Sequence, residues 1–308
     1  MVKFGTGGWR AIIGEEFTKE NIQKLALALC LKIKAEHVED QEIVIGYDRR
    51  FLSKEAVIWA CQIFGKQGIK VLFVDRSSPT PLIMFYVMKH ELPYGLMVTA
   101  SHNPAIYNGI KVFTKGGRDA DEHQTAQIEQ YLVQAEKIYE KDDSEEGQMP
   151  PHSYLDLVKS GMVVEMNPMN EYLDNIISMI NMDAIRERDL RIAIDPMYGV
   201  SLTALCTILS IARCTVETIN AQHDTLFGGK VPAPTEDTLR NLQNYVLDRY
   251  CDIGIATDGD ADRLGVIDDK GHYLHANTIL VMLYYYLLKY KGWRGPAVRN
   301  ISTTHVLD

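Results

Sequence analysis

Two halves of this 308-residue chain repeat one order of signals. An apolar run ends in aspartate, and a helical pattern follows. A second apolar run, a Pro-x-Pro step, another helical pattern and a third apolar run come next, and the last run ends in a polar loop. In the first half, residues 42–46 lead into Tyr47-Asp48-Arg49-Arg50, and a helix starts near Ser53. Residues 71–74 are the next strand, Pro79-Thr80-Pro81 opens the next helix, and 96–99 deliver the loop. In the second half, 190–194 lead into Asp195-Pro196-Met197-Tyr198-Gly199, and 215–219 are the next strand. Pro232-Ala233-Pro234-Thr235 then opens a helix with Leu239, Leu242, Val246 and Tyr250 on one face, and 253–256 end the set. Strands alternating with helices require crossover connections and a layered sheet. The expected fold is therefore α/β: two tandem, topologically similar domains with mixed, mostly parallel sheets flanked by helices. Residues 136–153 are charged, then turn-rich with paired prolines, and mark the expected boundary.

The loop of the first half is Thr99-Ala100-Ser101-His102-Asn103-Pro104. Pro104 restricts Asn103 and turns the chain out of its strand. A turn at a strand's carboxyl end exposes side chains where ligands of open α/β sheets sit. Ser101 has the hydroxyl that a covalent phosphoryl carrier needs, and His102 and Asn103 are hydrogen-bonding neighbours. Lys111 follows after Asn108-Gly109, a pair read as turn-prone. By itself this loop reads first as a polar turn in which Ser101 only caps backbone groups. The loop of the second half is Thr257-Asp258-Gly259-Asp260-Ala261-Asp262-Arg263. Three carboxylates at alternate positions form a hard oxygen cage suited to Mg²⁺. An EF-hand fails here, because Arg263 stands where its glycine is needed and Asp269 replaces the closing glutamate. An acidic solvated turn is a poor alternative, since close carboxylates repel one another without a cation.

These stretches resemble motifs of the α-D-phosphohexomutases, the phosphoglucomutase/phosphomannomutase family. TASHNP with YNG-x-K is similar to the family's phosphoserine loop, and DGDADR to its metal loop. Phe4-Gly5-Thr6-Gly7-Gly8-Trp9-Arg10 resembles the entry segment whose arginine lines the active site, and Asp48, Arg50 and Ser53 resemble its G-x-D-x-R-x-x-S element. The last of these reads physically as an ion pair and cap that hold a turn. The resemblance implies a phosphoglucomutase interconverting glucose 1-phosphate and glucose 6-phosphate through a phosphoserine and a sugar 1,6-bisphosphate. Phosphomannomutase, phosphopentomutase or a non-catalytic metal- or phosphosugar-binding module are the alternatives. Candidate catalytic residues are Ser101, Lys111, His102 and Arg10, with Lys111 as a base whose pKa a nearby cation would lower. Arg263 and Asn103 are candidate phosphate-binding residues, and Ser101, Asp258, Asp260 and Asp262 candidate Mg²⁺ ligands. The expected division is 1–150, 151–296 and, at 297–308, the start of a third domain. The family's G-E-x-S-G and R-x-S-G-T-E-P loops do not occur, so the chain reads as an N-terminal portion with little turnover of its own.

A serine-hydrolase reading of Ser101-His102 lacks the G-x-S-x-G elbow. The net charge of −9 argues against a general nucleic-acid binder. Five scattered cysteines without CxxC read as reduced, buried thiols, and no run approaches membrane-spanning length. A cytoplasmic protein acting on a sugar phosphate is the expectation. Residues 276–290, apolar nearly all round, should be a buried helix.

Overall fold

The computed structural model describes residues 3–5, 8–144 and 153–307. Residues 145–152 of the expected boundary stretch lie outside them, as do Thr6 and Gly7 of the opening motif. The first part of the chain runs β1 (Trp9–Ile12), α1 (Lys19–Ala35), β2 (Ile43–Tyr47), α2 (Ser53–Lys66), β3 (Val71–Val74) and α3 (Thr80–Lys89). It continues through β4 (Tyr94–Val98), β5 (Tyr107–Thr114), β6 (Arg118–Asp119), α4 (Glu122–Ser144), α5 (Tyr154–Lys159) and β7 (Val163–Met166). The second part runs α6 (Met169–Met179), α7 (Met182–Arg186), β8 (Arg191–Asp195), α8 (Leu202–Ile211), β9 (Thr215–Thr218) and α9 (Arg240–Arg249). It closes with β10 (Ile253–Thr257), β11 (Leu264–Asp268), β12 (Tyr273–Leu274) and α10 (Ala276–Lys289).

The first sheet has the order β1-β5-β4-β2-β3-β7, with β6 beside β5, and the second β12-β11-β10-β8-β9. Within them β5-β4-β2-β3 and β11-β10-β8-β9 match strand for strand. In each, two parallel pairings sit beside one antiparallel pairing. The repeated order of signals is thus a repeated topology. The central strands are covered on both faces, which is why they read as continuous apolar runs. Side chains still alternate between faces. Ile43, Ile45, Val71, Phe73, Leu96 and Val98 pack with α1 and α2, whose buried residues include Ile22, Leu25, Leu29, Val57 and Phe64. Val44, Leu72, Val74 and Met97 pack with Leu82, Ile83 and Val87 of α3. Thr18 caps α1 as its sequence position indicates, accepting the Asn21 amide at 3.3 Å.

Sheet membership puts the division between the two units further along than 150. β7 pairs in parallel with β3, from Val71 opposite Val163 to Val74 opposite Met166. The first sheet therefore draws on residues well past the charged stretch. Helix α10 also departs from expectation, since none of its residues is buried. Its main packing is against the 3₁₀ turn His305–Leu307. An all-round apolar pattern shows what a helix can bury, while burial itself needs a facing surface. Among the described residues no helix is long and apolar enough to cross a membrane. All five cysteines are free; Cys30, Cys61 and Cys251 are buried, whereas Cys206 and Cys214 are only half-buried.

The carboxyl ends of the central strands of the two sheets meet. Arg49, just after β2, donates to the carbonyls of Tyr198 and Ala221, both at 3.3 Å, in the corresponding part of the second unit. The two polar loops come together at this junction.

Candidate active site

Ser101 sits in a tightly determined turn. Its φ of 53° lies in the left-handed region, which a non-glycine residue occupies only when its surroundings hold it there. Its amide donates to Thr99 Oγ1 at 2.8 Å, and that hydroxyl donates to Asp48 Oδ2 at 2.7 Å. The buried Arg50 guanidinium does most of the holding. It donates to the carbonyls of Ser101 (2.6 Å), Asn103 (2.8 Å), Pro104 (3.0 Å) and Tyr107 (3.0 Å). It also pairs with Asp48 at 3.2 Å and lies over the Phe227 ring of the second unit, 4.9 Å from its centroid. Asp48 Oδ1 accepts the Arg50 amide and the Ser53 hydroxyl, each at 3.0 Å. Asp48 and Arg50 therefore frame the serine loop as the expected ion pair, whereas Ser53 is not the expected cap: Leu52 precedes α2 without a side-chain cap bond, and the Ser53 hydroxyl donates to Asp48 instead.

The carboxylate loop is built in the same manner. Asp258 Oδ1 accepts the amides of Asp262 and Arg263 at 3.0 Å, which closes the turn on itself. Asp258 Oδ2 accepts the Ser101 hydroxyl at 2.8 Å, across the junction. Gly259 permits this approach, since a Cβ there would lie 2.8 Å from the Ser101 carbonyl oxygen. Lys111 Nζ, on β5, donates to Asp260 Oδ2 at 2.7 Å and Asp262 Oδ2 at 2.6 Å. Thr80 Oγ1 donates to the same Asp260 oxygen at 2.6 Å. Ser101, Lys111, Asp258 and Asp260 are all buried.

One oxygen of each of Asp258, Asp260 and Asp262 lies within 4.8 Å of those of the other two. Burial raises the Asp258 carboxyl far above the carboxylate range, and the charges of Asp260 and Asp262 push the same way. Burial also acts to raise Asp260, but the Lys111 ammonium and its hydrogen bond hold that carboxyl below its ordinary value. Asp260 Oδ1 is buried without a hydrogen-bond partner. An orphaned buried carboxylate oxygen costs free energy unless something positive meets it. Three convergent hard oxygen donors, one of them orphaned, fit a small divalent cation.

The structure brings most of the sequence-singled residues together and revises the setting of several. His102 Nδ1 lies 3.3 Å from Ser101 Oγ. Burial lowers its pKa, and the charges of Arg263 and Arg10 lower it further, which puts both arginines near this imidazole. Arg10 lies on β1 opposite Gly109 of β5, and Arg263 Nε is 3.9 Å from Asp258 Oδ2. Asn103 takes part through its main chain, with its amide on Ala100 O at 3.0 Å and its carbonyl on Arg50. For Lys111 the structure reverses the expected direction of the pKa. Burial does act to lower it, but Asp260 and Asp262 outweigh burial and hold the ammonium above its ordinary value.

Asn108-Gly109 is not a turn. Both residues lie inside β5, and the reversal falls earlier, at 101–106. Asn108 Nδ2 donates to Phe51 O and Ser53 Oγ, and a Cβ on Gly109 would lie 2.1 Å from Trp9 O of β1. A Cβ on Gly8 would lie 2.6 Å from Ile110 O of β5, so this glycine of the opening motif serves strand packing. Sequence patterns alone assign no site role to Thr80 or Gly259. The signal for Thr80 is its place between two prolines, and for Gly259 its place between two carboxylates.

Two α/β units of like topology, with a buried serine from one set against a carboxylate cage from the other, define a class of protein built to handle a charged group at a domain junction. The chain matches the models for "Phosphoglucomutase/phosphomannomutase, alpha/beta/alpha domain I" over residues 1–139 and for domain II over residues 170–271, and it belongs to that family. It is 29% identical over 308 residues to a phosphoglucomutase/phosphomannomutase of Thermococcus kodakarensis, covering 99% of this chain and 63% of that protein. It is 31% identical over 268 residues to a phosphoglucosamine/phosphogalactosamine mutase of Sulfurisphaera tokodaii, covering 87% of this chain and 55% of that protein. Among solved structures, a "putative phosphomannomutase" of Thermus thermophilus superposes with a TM-score of 0.85 at 27% identity, covering 99% of this chain and 65% of that one. The chain thus spans less than two thirds of the length of these relatives.

Proposed function

We propose that this chain carries the phosphoryl-transfer site of a phosphohexomutase, with Ser101 as covalent phosphoryl carrier and Asp258, Asp260 and Asp262 as ligands for Mg²⁺. The observation that most supports this reading is the 2.8 Å approach of Ser101 Oγ to Asp258 Oδ2 across the domain junction. It sets a hydroxyl against a carboxylate cage that a cation fits. In the full reaction the phosphoserine passes its phosphoryl group to a sugar monophosphate. The sugar 1,6-bisphosphate then reorients, and Ser101 recovers the other phosphate. The net change moves phosphate between C1 and C6.

Phosphoryl transfer asks a protein mainly for positioning and charge neutralisation. When bound, Mg²⁺ supplies the Lewis acidity that makes the serine oxygen a better leaving group. The protein's own residues do the rest. Arg50 fixes the loop through four carbonyls, so that Ser101 Oγ keeps its place. Of the two groups within reach of the serine proton, Asp258 Oδ2 and His102 Nδ1, the carboxylate is reserved for the cation, so the imidazole takes the proton when the serine oxygen gains a phosphate. Arg10 and Arg263 face the incoming phosphate groups. Lys111 serves as base to the attacking sugar hydroxyl only once it is released from Asp260 and Asp262; while paired, it is a charged donor.

Glucose phosphate is the first substrate to test, because TASHNP and GTGGWR are phosphoglucomutase-like. The name of the Sulfurisphaera tokodaii relative favours a hexosamine phosphate as the second. The first measurement is the intact mass of the chain after incubation with glucose 1,6-bisphosphate and Mg²⁺. We expect an added phosphate of about 80 Da that maps to Ser101 and is absent from Ser101→Ala. A chain that accepts no phosphate under these conditions overturns the assignment.

A further inference from the structure

We infer that Thr80 is a positioning residue through which the first domain sets Asp260 for a divalent cation; the inference rests on the cage reading above. In Pro79-Thr80-Pro81 only Thr80 has an amide proton, and it donates to Asp260 O at 2.9 Å. The Thr80 hydroxyl donates to Asp260 Oδ2 at 2.6 Å, and Lys111 Nζ reaches the same oxygen at 2.7 Å. Oδ2 thus has two donors and the buried Oδ1 has none. The torsion that turns a carboxylate about its last carbon–carbon bond is soft. Two donors on one oxygen remove that freedom and leave Oδ1 as the oxygen for a cation. Thr80 is also the first residue of α3, so the carboxylate meets the positive end of a ten-residue helix.

The second unit supplies a control within the same molecule. Its Pro-x-Pro step holds Ala233 in the middle, and that amide bonds locally, to Val231 O at 2.9 Å. The step therefore forms without a hydroxyl. The hydroxyl of Thr80 belongs to the cross-domain contact, and with it the cation site spans the junction.

The test is calorimetric titration of the 308-residue chain with Mn²⁺, comparing wild type, Thr80→Val, Thr80→Ser and Asp260→Asn. We expect Thr80→Val to bind about tenfold more weakly, as losses of groups that orient a metal ligand do, and Thr80→Ser to stay within about twofold of wild type. Thr80→Ala, which adds no methyl group against Asp260, reads the same quantity if the valine variant does not fold. Wild-type affinity in both hydroxyl-free variants, with binding lost in Asp260→Asn, overturns the role of Thr80 and leaves the cage standing. No Mn²⁺ binding by the wild type, or unchanged binding by Asp260→Asn, overturns the cage reading and this inference with it.

Discussion

The two units place their polar loops at the same point of the same topology, yet they fill them with opposite chemistry. After β4 the chain presents a hydroxyl on a loop whose carbonyls a guanidinium holds; after β10 it presents three carboxylates. Both units have an aspartate at the end of a central strand that accepts an amide two residues on. Asp48 Oδ1 takes Arg50 N at 3.0 Å, and Asp195 Oδ1 takes Met197 N at 2.8 Å. The turn is shared and the residue that follows it is not. Arg50 gathers four loop carbonyls, whereas Met197 is a core residue of its unit. The repeat supplies a frame, and the chemistry lies in the few side chains where the copies differ. Each loop is incomplete alone, because the serine lacks the Asp258 carboxylate, and Asp260 and Asp262 lack the donors Thr80 and Lys111.

Arg50→Met, which gives the first turn the residue of the second, should have the largest effect. It leaves Asp48 buried and uncompensated and frees four carbonyls, at a cost of about 3–5 kcal/mol. Urea unfolding measures it; a loss below about 1 kcal/mol would mean that the loop does not depend on this hub. Next, Asp260→Asn should weaken Mn²⁺ binding on the order of 100-fold, since it alters a ligand itself and not only a group that orients one. The corresponding change in the first loop, Ser101→Ala, should alter Mn²⁺ binding far less in the unphosphorylated chain, and equal losses would erase the contrast between the loops. Gly259→Ala should cost about 1–3 kcal/mol, because its Cβ meets Ser101 O at 2.8 Å. A thermal melt at neutral pH reads this directly, and an unchanged midpoint would show that the loops part without strain. The smallest effect belongs to Asp195→Asn. It loses the bond from Asn220 to Oδ2, about 1 kcal/mol, and should cost less than Asp48→Asn, which disturbs an ion pair and the Thr99 hydroxyl as well.

Several features were legible because they depend on neighbours in the chain. The repeated order of strands and helices and the three-aspartate loop are local patterns of period and spacing. The Asp48–Arg50 pair followed from residue type, although the four carbonyls that Arg50 gathers did not, and Ser53 serves as a donor to Asp48 and not as the cap its type suggests. Asn108-Gly109 misled in the other direction. The pair has strong turn chemistry, but pairing with β1 and β4 on its two sides, and the bonds from Asn108 to Phe51 and Ser53, hold it in a strand. Lys111 was legible as a site residue and not in its charge state, because the two carboxylates that hold its proton come from a loop about 150 residues away in sequence. β7 was not foreseen as part of the first sheet, since strand order is decided by packing and not by proximity in the chain.

By itself the sequence determined the unit, its duplication and the residues able to do chemistry, because periodicity, proline placement and carboxylate spacing act over a few residues. Only the tertiary structure decided which of these residues meet. The Ser101–Asp258 contact, the Thr80–Asp260 clamp and the Lys111 bridge each join groups about 150 or more positions apart. Such contacts are set by how two sheets present their strand ends to each other. The exposure of α10 is of the same kind, since an apolar helix carries its capacity for burial in its sequence and finds its cover only in a surface that faces it.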